Sequence, residues 1–180
     1  MESTRGQLLI AGPALVDPNF RRTVVLVVEH SAQGALGLVL NRPSESTVGE
    51  AVPELEGLIE SEERMFIGGP VAPTGVIVLA QFADPDPAGL LSFDNVGLLR
   101  IDTSLEDPPA VVQARAFAGH SGWGPGQLDA ELEQGGWILE PATGGDAFCQ
   151  QPEQLWSEVL SRKGGSYALV ARMPPDPSLN

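Results

Sequence analysis

Thr23-Val-Val-Leu-Val-Val-Glu29, followed by Ala35-Leu-Gly-Leu-Val-Leu-Asn41, decides the fold class of this 180-residue chain. The first run is continuous and rich in β-branched residues, which is typical of a strand buried on both faces. Ser31-Ala-Gln-Gly34 separates the two runs and has the composition of a hairpin loop. The two runs therefore predict neighbouring antiparallel strands.

Shorter patterns on both sides of this hairpin predict a mixture of strands and helices. Further strands are expected at residues 7–10, 65–67, 76–82, 98–102, 116–118, 137–139 and 167–171. Helices are expected to begin at Thr47 (a capping box with Glu50), Ser104 (running to about Ala114), Gly124-Pro125 and Pro152. Because these elements do not alternate as β-α-β units, the sequence predicts an α+β fold.

Length and composition predict one domain over residues 1–172, followed by a flexible proline-rich tail at 173–180. Residues 84–89 read as a loop. The single cysteine, Cys149, excludes an internal disulfide. No apolar run reaches the ~18 residues of a membrane helix, and no signal-peptide pattern is visible. We therefore expect a cytoplasmic protein without membrane contact.

The charge of the chain argues against direct contact with nucleic acid. The formal net charge is −14, with 10 basic residues in total. Proteins that bind DNA commonly neutralise about 6–10 phosphates with Lys and Arg, and here the basic residues form no stripe. The acidic residues are concentrated between Glu45 and Glu63. A transcriptional regulator acting directly on DNA remains only an alternative hypothesis.

Gly119-His-Ser-Gly-Trp-Gly-Pro-Gly-Gln-Leu128 is the richest motif for chemistry. Its first residues come within one position of the G-x-S-x-G nucleophile elbow, so a serine hydrolase using Ser121 is a second alternative. A serine hydrolase of this type needs a histidine base that follows the serine in the chain. The only histidines are His30 and His120, and both precede Ser121. A glycine corner packed under Trp123 is the simpler interpretation.

Other patterns of catalytic or cofactor chemistry are not complete. No H-x-H, H-E-x-x-H or C-x-x-C spacing occurs, so no metal site is predicted. Gly68-Gly69-Pro70 lacks the lysine and the following helix of a phosphate loop, and reads as a tight turn. Cys149 beside Phe148 reads as a small buried apolar residue. We therefore predict no cofactor and assign no catalytic residue.

Polar and glycine residues at several predicted strand ends could nevertheless share one surface. Arg42 could grip a carboxylate or phosphate, or could pair with the acidic segment that follows it. If the strand ends cluster, they would form a surface for a ligand or partner. Its candidate residues are Asn41, Arg42, Gly68, Gly69, His120, Ser121, Trp123 and Gln127.

The ordered set of motifs resembles the bacterial AlgH/YqgE family (UPF0301 type), long described as uncharacterised. The matching blocks are Pro13–Phe20, Val24–His30, Gly34–Pro43, Ile67–Val71, Gly119–Trp123, Gly126–Leu128, Glu131 and Trp137. The family usually has Tyr at position 120, often Ala at 121, and often Leu-His where this chain has Leu79-Ala80. The resemblance implies an α+β fold around a small closed, β-barrel-like sheet with helices outside, and implies no established reaction.

These observations predict a protein that binds a small ligand or a protein partner, with a regulatory role and no demonstrable catalysis. The family's name suggests transcriptional regulation, which the acidic charge does not support as direct DNA contact. The ligand or partner is not identified by any motif.

Overall fold

The computed structural model describes residues 2–84, 90–101 and 109–175. Its strands are β1 (Gln7–Ala11), β2 (Val24–Ser31), β3 (Gly34–Val39), β4 (Pro43–Thr47), β5 (Arg64–Ile67), β6 (Val71–Phe82), β7 (Leu91–Phe93), β8 (Val96–Leu99), β9 (Val111–Trp123) and β10 (Trp137–Pro141). Its helices are α1 (Val48–Ala51), α2 (Gln127–Glu133), α3 (Gly144–Ala147), α4 (Pro152–Lys163) and α5 (Tyr167–Val170), with a 3-10 turn at Pro53–Leu55. The mixed α and β composition that the sequence predicted is confirmed.

The strands form one large, mainly antiparallel sheet in the order β10-β1-β2-β3-β9-β6-β8-β7. The 13-residue β9 organises it, pairing with β6 over most of its length and with β3 at Ser121–Trp123. It also runs parallel to β5, which carries β4. The sheet is open, with β10 and β7 at its two ends, so the expectation of a closed, barrel-like core is wrong. Helix α4 packs on one apolar face of the sheet.

The predicted hairpin is confirmed as β2 and β3, which pair antiparallel. Val24 to Val28 are fully buried. Alternate side chains point to opposite faces of a strand, so Val24, Leu26 and Val28 join the core beneath α4. Val25 and Val27 pack with Trp123 and Trp137 on the other face. Both faces of β2 are therefore covered, as its continuous apolar sequence predicted.

Helix α4 begins at Pro152 and ends before Gly164, as predicted. Its buried stripe of Leu155, Trp156, Val159 and Leu160 packs onto the core. The Trp156 indole donates a hydrogen bond to the carbonyl oxygen of Ala11 at 2.9 Å. Helix α4 is therefore fixed to β1 by both apolar and polar contacts.

Short helices α1 and α3 are each held by a capping box. The predicted box at Thr47 is confirmed, since Thr47 accepts from the Glu50 N–H and Glu50 accepts from the Thr47 N–H. At the start of α3 the buried Asp146 carboxylate accepts a hydrogen bond from the Thr143 N–H and two more from Arg162 at 2.9 and 3.0 Å. This pair ties the end of α4 to the segment that leads to Cys149.

Two predicted elements are wrong. Residues 167–171 form helix α5 and a turn, because Ser166 and the preceding glycines start a new helical turn after α4. Residues 111–114 belong to β9, so the predicted helix does not extend to Ala114, and its start at Ser104 lies outside the described residues. The predicted strand at 116–118 is confirmed, as the middle of that longer strand. Residues 85–89 of the predicted loop and 176–180 of the predicted tail also lie outside the described residues.

Candidate functional site

The glycines of the two predicted motifs meet where the β5–β6 connection crosses β9. Gly68 N–H donates to the Ala118 carbonyl at 2.9 Å, and a Cβ on Gly69 would lie 2.3 Å from the His120 backbone. A Cβ on Gly119 would lie 2.5 Å from the Gly69 carbonyl oxygen. Gly69 and Gly119 also have φ angles of +154° and +69°. These glycines permit a close backbone crossing, and Gly119–Trp123 continues strand β9 instead of forming the predicted corner.

Ser121 is fully buried, and its hydroxyl donates to the Gly68 carbonyl oxygen at 3.1 Å. His120 precedes it in the extended strand and pairs with Val71, so the two side chains point to opposite faces. His30 is buried elsewhere and its Nδ1 accepts from the Thr4 N–H at 3.1 Å. This geometry ties Ser121 into the crossing and does not offer its hydroxyl to a substrate.

Asn41 and Arg42 hold backbone groups near the same crossing. The Asn41 amide accepts from the Val24 N–H and donates to the Arg22 carbonyl. The Arg42 guanidinium donates to the Arg21 carbonyl oxygen at 2.8 Å rather than to the acidic segment that follows. The Arg42 carbonyl in turn accepts from the Ile67 N–H. The structure thus brings these segments together, but the side chains are engaged within the chain.

Trp123 and Gln127 belong to a cluster centred on Glu131. One carboxylate oxygen of Glu131 accepts from the indole N–H groups of Trp123 and Trp137, both at 2.9 Å. Its other oxygen accepts from the Gln127 amide at 3.0 Å. Gln127 also accepts from the Gly124 N–H at 3.0 Å, as the sequence predicted, although α2 begins after Gly126. This cluster fixes α2 against the sheet, and a role of the eight residues as a shared binding surface stays a prediction.

A second group of polar residues surrounds Arg115, which the sequence analysis missed. Arg115 lies in the middle of β9, opposite Leu79 of β6, and is only 8% exposed. Its guanidinium carbon lies 4.3 Å from the centre of the Phe66 ring, a cation–π distance. Its Nη1 donates a weak hydrogen bond to the Cys149 sulfur at 3.9 Å. An arginine inside the apolar run Ala114–Ala118 was the available sequence signal.

Cys149 is buried beside this guanidinium, and its thiol lies 3.9 Å from the Leu40 carbonyl oxygen. Burial raises the pKa of the Cys149 thiol above its ordinary value, and the nearby Arg115 charge partly opposes that rise. A raised pKa keeps the thiol protonated at neutral pH. Cys149 therefore acts here as a neutral neighbour of Arg115 and not as its counter-ion.

Arg115 and Cys149 line an open cleft of about 380 Å³. The other lining residues are Pro43, Glu60, Glu62, Glu63, Arg64, Phe66, Gln150, Pro152 and Glu153. The first turn of α4 therefore contributes to the wall. Within the described residues, no carboxylate lies within 4.0 Å of the Arg115 nitrogens. By contrast, the more exposed Arg162 is paired with Asp146 at 2.9 Å.

Arg115 lines this cleft and has side-chain N–H groups without a hydrogen-bond partner among the described residues. Only its Nη1 has a hydrogen-bond partner among the residues described. Among the described residues, every fully buried side-chain nitrogen and oxygen has a hydrogen-bond partner. The remaining guanidinium nitrogens must therefore retain some accessible surface, which makes them available to a bound group. We call this arrangement of Arg115, Phe66 and Cys149 the Arg115 cleft.

A separate pocket of about 210 Å³ is lined partly by Met173, Pro174 and Pro175. Arg22 stacks 4.0 Å above the Trp156 ring, and donates to the Met173 carbonyl oxygen at 2.8 Å. Arg21 donates to the Pro175 carbonyl oxygen. The two arginines therefore hold the segment 173–175 and are not simply solvated charges.

Neither a cluster of metal ligands nor a membrane-spanning helix occurs in the described ranges 2–84, 90–101 and 109–175. No three His, Cys, Asp or Glu side chains there converge as metal ligands. No helix in that part of the chain is long and apolar enough to cross a membrane.

Comparison with known proteins places this geometry in a family. A family model described as AlgH-like matches residues 8–168. A UPF0301 protein of Thermobifida fusca is 45% identical, covering 99% of this chain and 96% of the relative, and one of Streptomyces coelicolor is 43% identical, covering 100% and 97%.

Two solved structures share the fold. A crystal structure of a Corynebacterium diphtheriae protein superposes with a TM-score of 0.85 at 28% identity, covering 96% of this chain and 94% of that one. The solution structure of AlgH from Pseudomonas aeruginosa, a UPF0301 protein, gives a TM-score of 0.70 at 30% identity, covering 96% and 95%. The resemblance carried by the sequence motifs is thereby confirmed, and the chain belongs to the AlgH-like family of UPF0301 proteins.

Proposed function

We propose that this protein binds a small molecule through an oxyanion group, such as a carboxylate or a phosphate, held by Arg115. The observation that carries the proposal is an arginine that lines a cleft, is 8% exposed, and has neither a carboxylate partner nor a full set of hydrogen bonds among the described residues. Buried charges in proteins are normally paired, and a guanidinium offers the two-pronged geometry that matches a carboxylate or phosphate.

The existing contacts of Arg115 do not replace such a partner. Stacking on Phe66 contributes about 0.5–2 kcal/mol, and a thiol at 3.9 Å is a weak acceptor. Both contacts orient the guanidinium without neutralising its charge. The cleft of about 380 Å³ lies within the range of about 300–1,000 Å³ found for small-molecule sites. Phe66 and Pro43 give it an apolar wall for the rest of the ligand.

The same observations favour ligand binding over the two alternative functions. The serine hydrolase would need an accessible Ser121 hydroxyl, whereas Ser121 is fully buried and bonded to Gly68. Direct DNA binding would need a basic surface, whereas the formal net charge is −14. Regulation by this protein would then depend on whether the cleft holds a ligand.

Titration of the isotope-labelled protein with hexanoate and with inorganic phosphate tests this proposal. We expect at least one probe to shift the Arg115 Nε–H resonance and the amide signals of Phe66 and Gln150 in NMR spectra. Charge-assisted hydrogen bonds contribute about 1.5–3 kcal/mol, so Arg115→Met should weaken binding about 10- to 100-fold.

Arg5→Met removes an exposed arginine that does not line the cleft and serves as the matched control. It should bind the probe as the parent protein does. Equal affinity of Arg115→Met and the parent, or no response of the cleft to either probe, would exclude the proposal.

A further inference from the structure

The mouth of the Arg115 cleft carries the opposite charge from its floor. Glu60, Glu62, Glu63 and Glu153 line the cleft and are all exposed. Apart from Arg115 itself, Arg64 is the only basic residue among the lining residues described. None of these four glutamates has an ion-pair partner within the described ranges. The cleft is therefore positive at its buried floor and net negative at its rim.

This charge arrangement sets a condition on the ligand, provided that the proposed binding at Arg115 is correct. A plain anion that enters the cleft is repelled by the carboxylates that line it, a repulsion that salt screens over about 8 Å at physiological ionic strength. The rim then opposes the attraction of the floor. A molecule that also carries a positive group at its other end converts this repulsion into a second favourable interaction.

A metal ion is a less suitable cation for the rim. No three potential metal ligands converge in the part of the chain that the structure describes, and the four glutamates are exposed side chains on two separate segments, residues 60–63 and the start of α4. Such a diffuse set of carboxylates fits an ammonium group, which needs no fixed coordination geometry. The buried Arg115 independently marks the other end of the ligand.

We propose that the ligand is bipolar: an amino-carboxylate or a related zwitterion, with its oxyanion on Arg115 and its ammonium group among Glu60, Glu62, Glu63 and Glu153. This assignment rests on the proposed function and specifies its ligand class. Phe66 and Pro43 also line the cleft and offer apolar contact to an aliphatic spacer between the two charged ends.

Matched pairs of linear probes test the assignment. The pairs are 4-aminobutyrate with butyrate, 6-aminohexanoate with hexanoate, and 8-aminooctanoate with octanoate, each titrated in the NMR assay at constant ionic strength. We expect at least one amino-carboxylate to bind about fivefold tighter than its fatty acid, as a few exposed charge interactions allow. The preference should weaken as salt is raised.

A triple variant, Glu60→Gln with Glu62→Gln and Glu63→Gln, should remove this preference by weakening the amino-carboxylate and strengthening the fatty acid. Its control is Glu2→Gln with Glu29→Gln and Glu133→Gln, three exposed glutamates that do not line the cleft. This control changes the net charge equally and should keep the preference.

The outcomes separate the two proposals. Fatty acids that bind at Arg115 as tightly as every matched amino-carboxylate would overturn the bipolar ligand and leave oxyanion binding intact. A preference unchanged in the Glu60, Glu62 and Glu63 variant would also overturn the bipolar assignment. Absence of binding by all six probes would overturn the bipolar ligand, and absence of binding by inorganic phosphate as well would overturn both proposals.

Discussion

Gly69→Ala is expected to lower the free energy of unfolding by more than about 4 kcal/mol, a loss that single substitutions rarely cause. The alanine Cβ would lie 2.3 Å from the carbonyl carbon and oxygen of His120 and 2.4 Å from the Ser121 nitrogen. These atoms belong to the central strand β9, which cannot move without disturbing its pairing with β3 and β6. The φ angle of +154° adds backbone strain. Urea-induced unfolding followed by circular dichroism provides the measurement.

Gly126→Ala separates the cost of a positive φ angle from the cost of steric overlap by the added Cβ. Gly126 also has a positive φ, +72°, but a Cβ there would meet nothing within 4 Å. Gly126→Ala should therefore lower the free energy of unfolding by only about 1–2 kcal/mol, the strain of a left-handed residue. Similar losses for the two variants would show that β9 accommodates the extra carbon and that the close crossing is not a rigid constraint.

Glu131→Ala is expected to destabilise the protein by about 2–6 kcal/mol, because it leaves two indole N–H donors without their acceptor at about 1–3 kcal/mol each. Trp123 and Trp137 are both only 6% exposed, so water cannot easily replace the carboxylate. Their rings pack edge to face at 6.2 Å, and Phe20 packs against Trp137 at 5.5 Å. Unfolding followed by tryptophan fluorescence reports the loss at the affected side chains.

Glu131→Gln is the matched variant, since its amide oxygen can still accept hydrogen bonds from the indoles. It should retain a substantial part of the stability that Glu131→Ala loses. If Glu131→Ala were as stable as the parent, the cluster would not hold α2 to the sheet, and the shared acceptor at 2.9 Å would be incidental.

The elements that the sequence predicted well are those in which local chemistry and burial agree. Strand β2 is apolar and β-branched throughout and is buried on both faces. Helix α4 combines Pro152 at its start, an apolar stripe and Gly164 at its end. The Thr47–Glu50 capping box depends on residues three positions apart and needs no tertiary information.

The errors arose where long-range pairing overrides local signals. Residues 111–114 followed plausible helix-start residues, but their pairing with β6 makes them part of β9. The closed sheet was implied by the family resemblance, whereas the strand order has two free ends and α4 covers the core. Ser121 looked exposed as a motif residue, but the backbone crossing at Gly68 buries it.

The Arg115 cleft could not be predicted from the sequence for a related reason. A single arginine in an apolar strand is compatible with an exposed edge, an ion pair or a binding site. Its burial, its distance from Phe66 and the absence of a carboxylate partner among the described residues depend on β5, β9 and the segment around Cys149 meeting in space. Only the tertiary structure distinguishes these cases.

The most direct test of oxyanion binding at Arg115 is equilibrium unfolding of the parent and Arg115→Met, each with and without hexanoate at ten times its dissociation constant for the parent. An uncompensated buried charge contributes little to stability. Without hexanoate, the free energy of unfolding of Arg115→Met should therefore be within about 1 kcal/mol of the parent's value, or higher than it. Hexanoate should stabilise the parent by about 1.4 kcal/mol and the variant, which binds about 10- to 100-fold more weakly, by at most about 0.4 kcal/mol. A variant that is about 3–5 kcal/mol less stable, as expected for a broken internal ion pair, or one that hexanoate stabilises equally, would contradict the account.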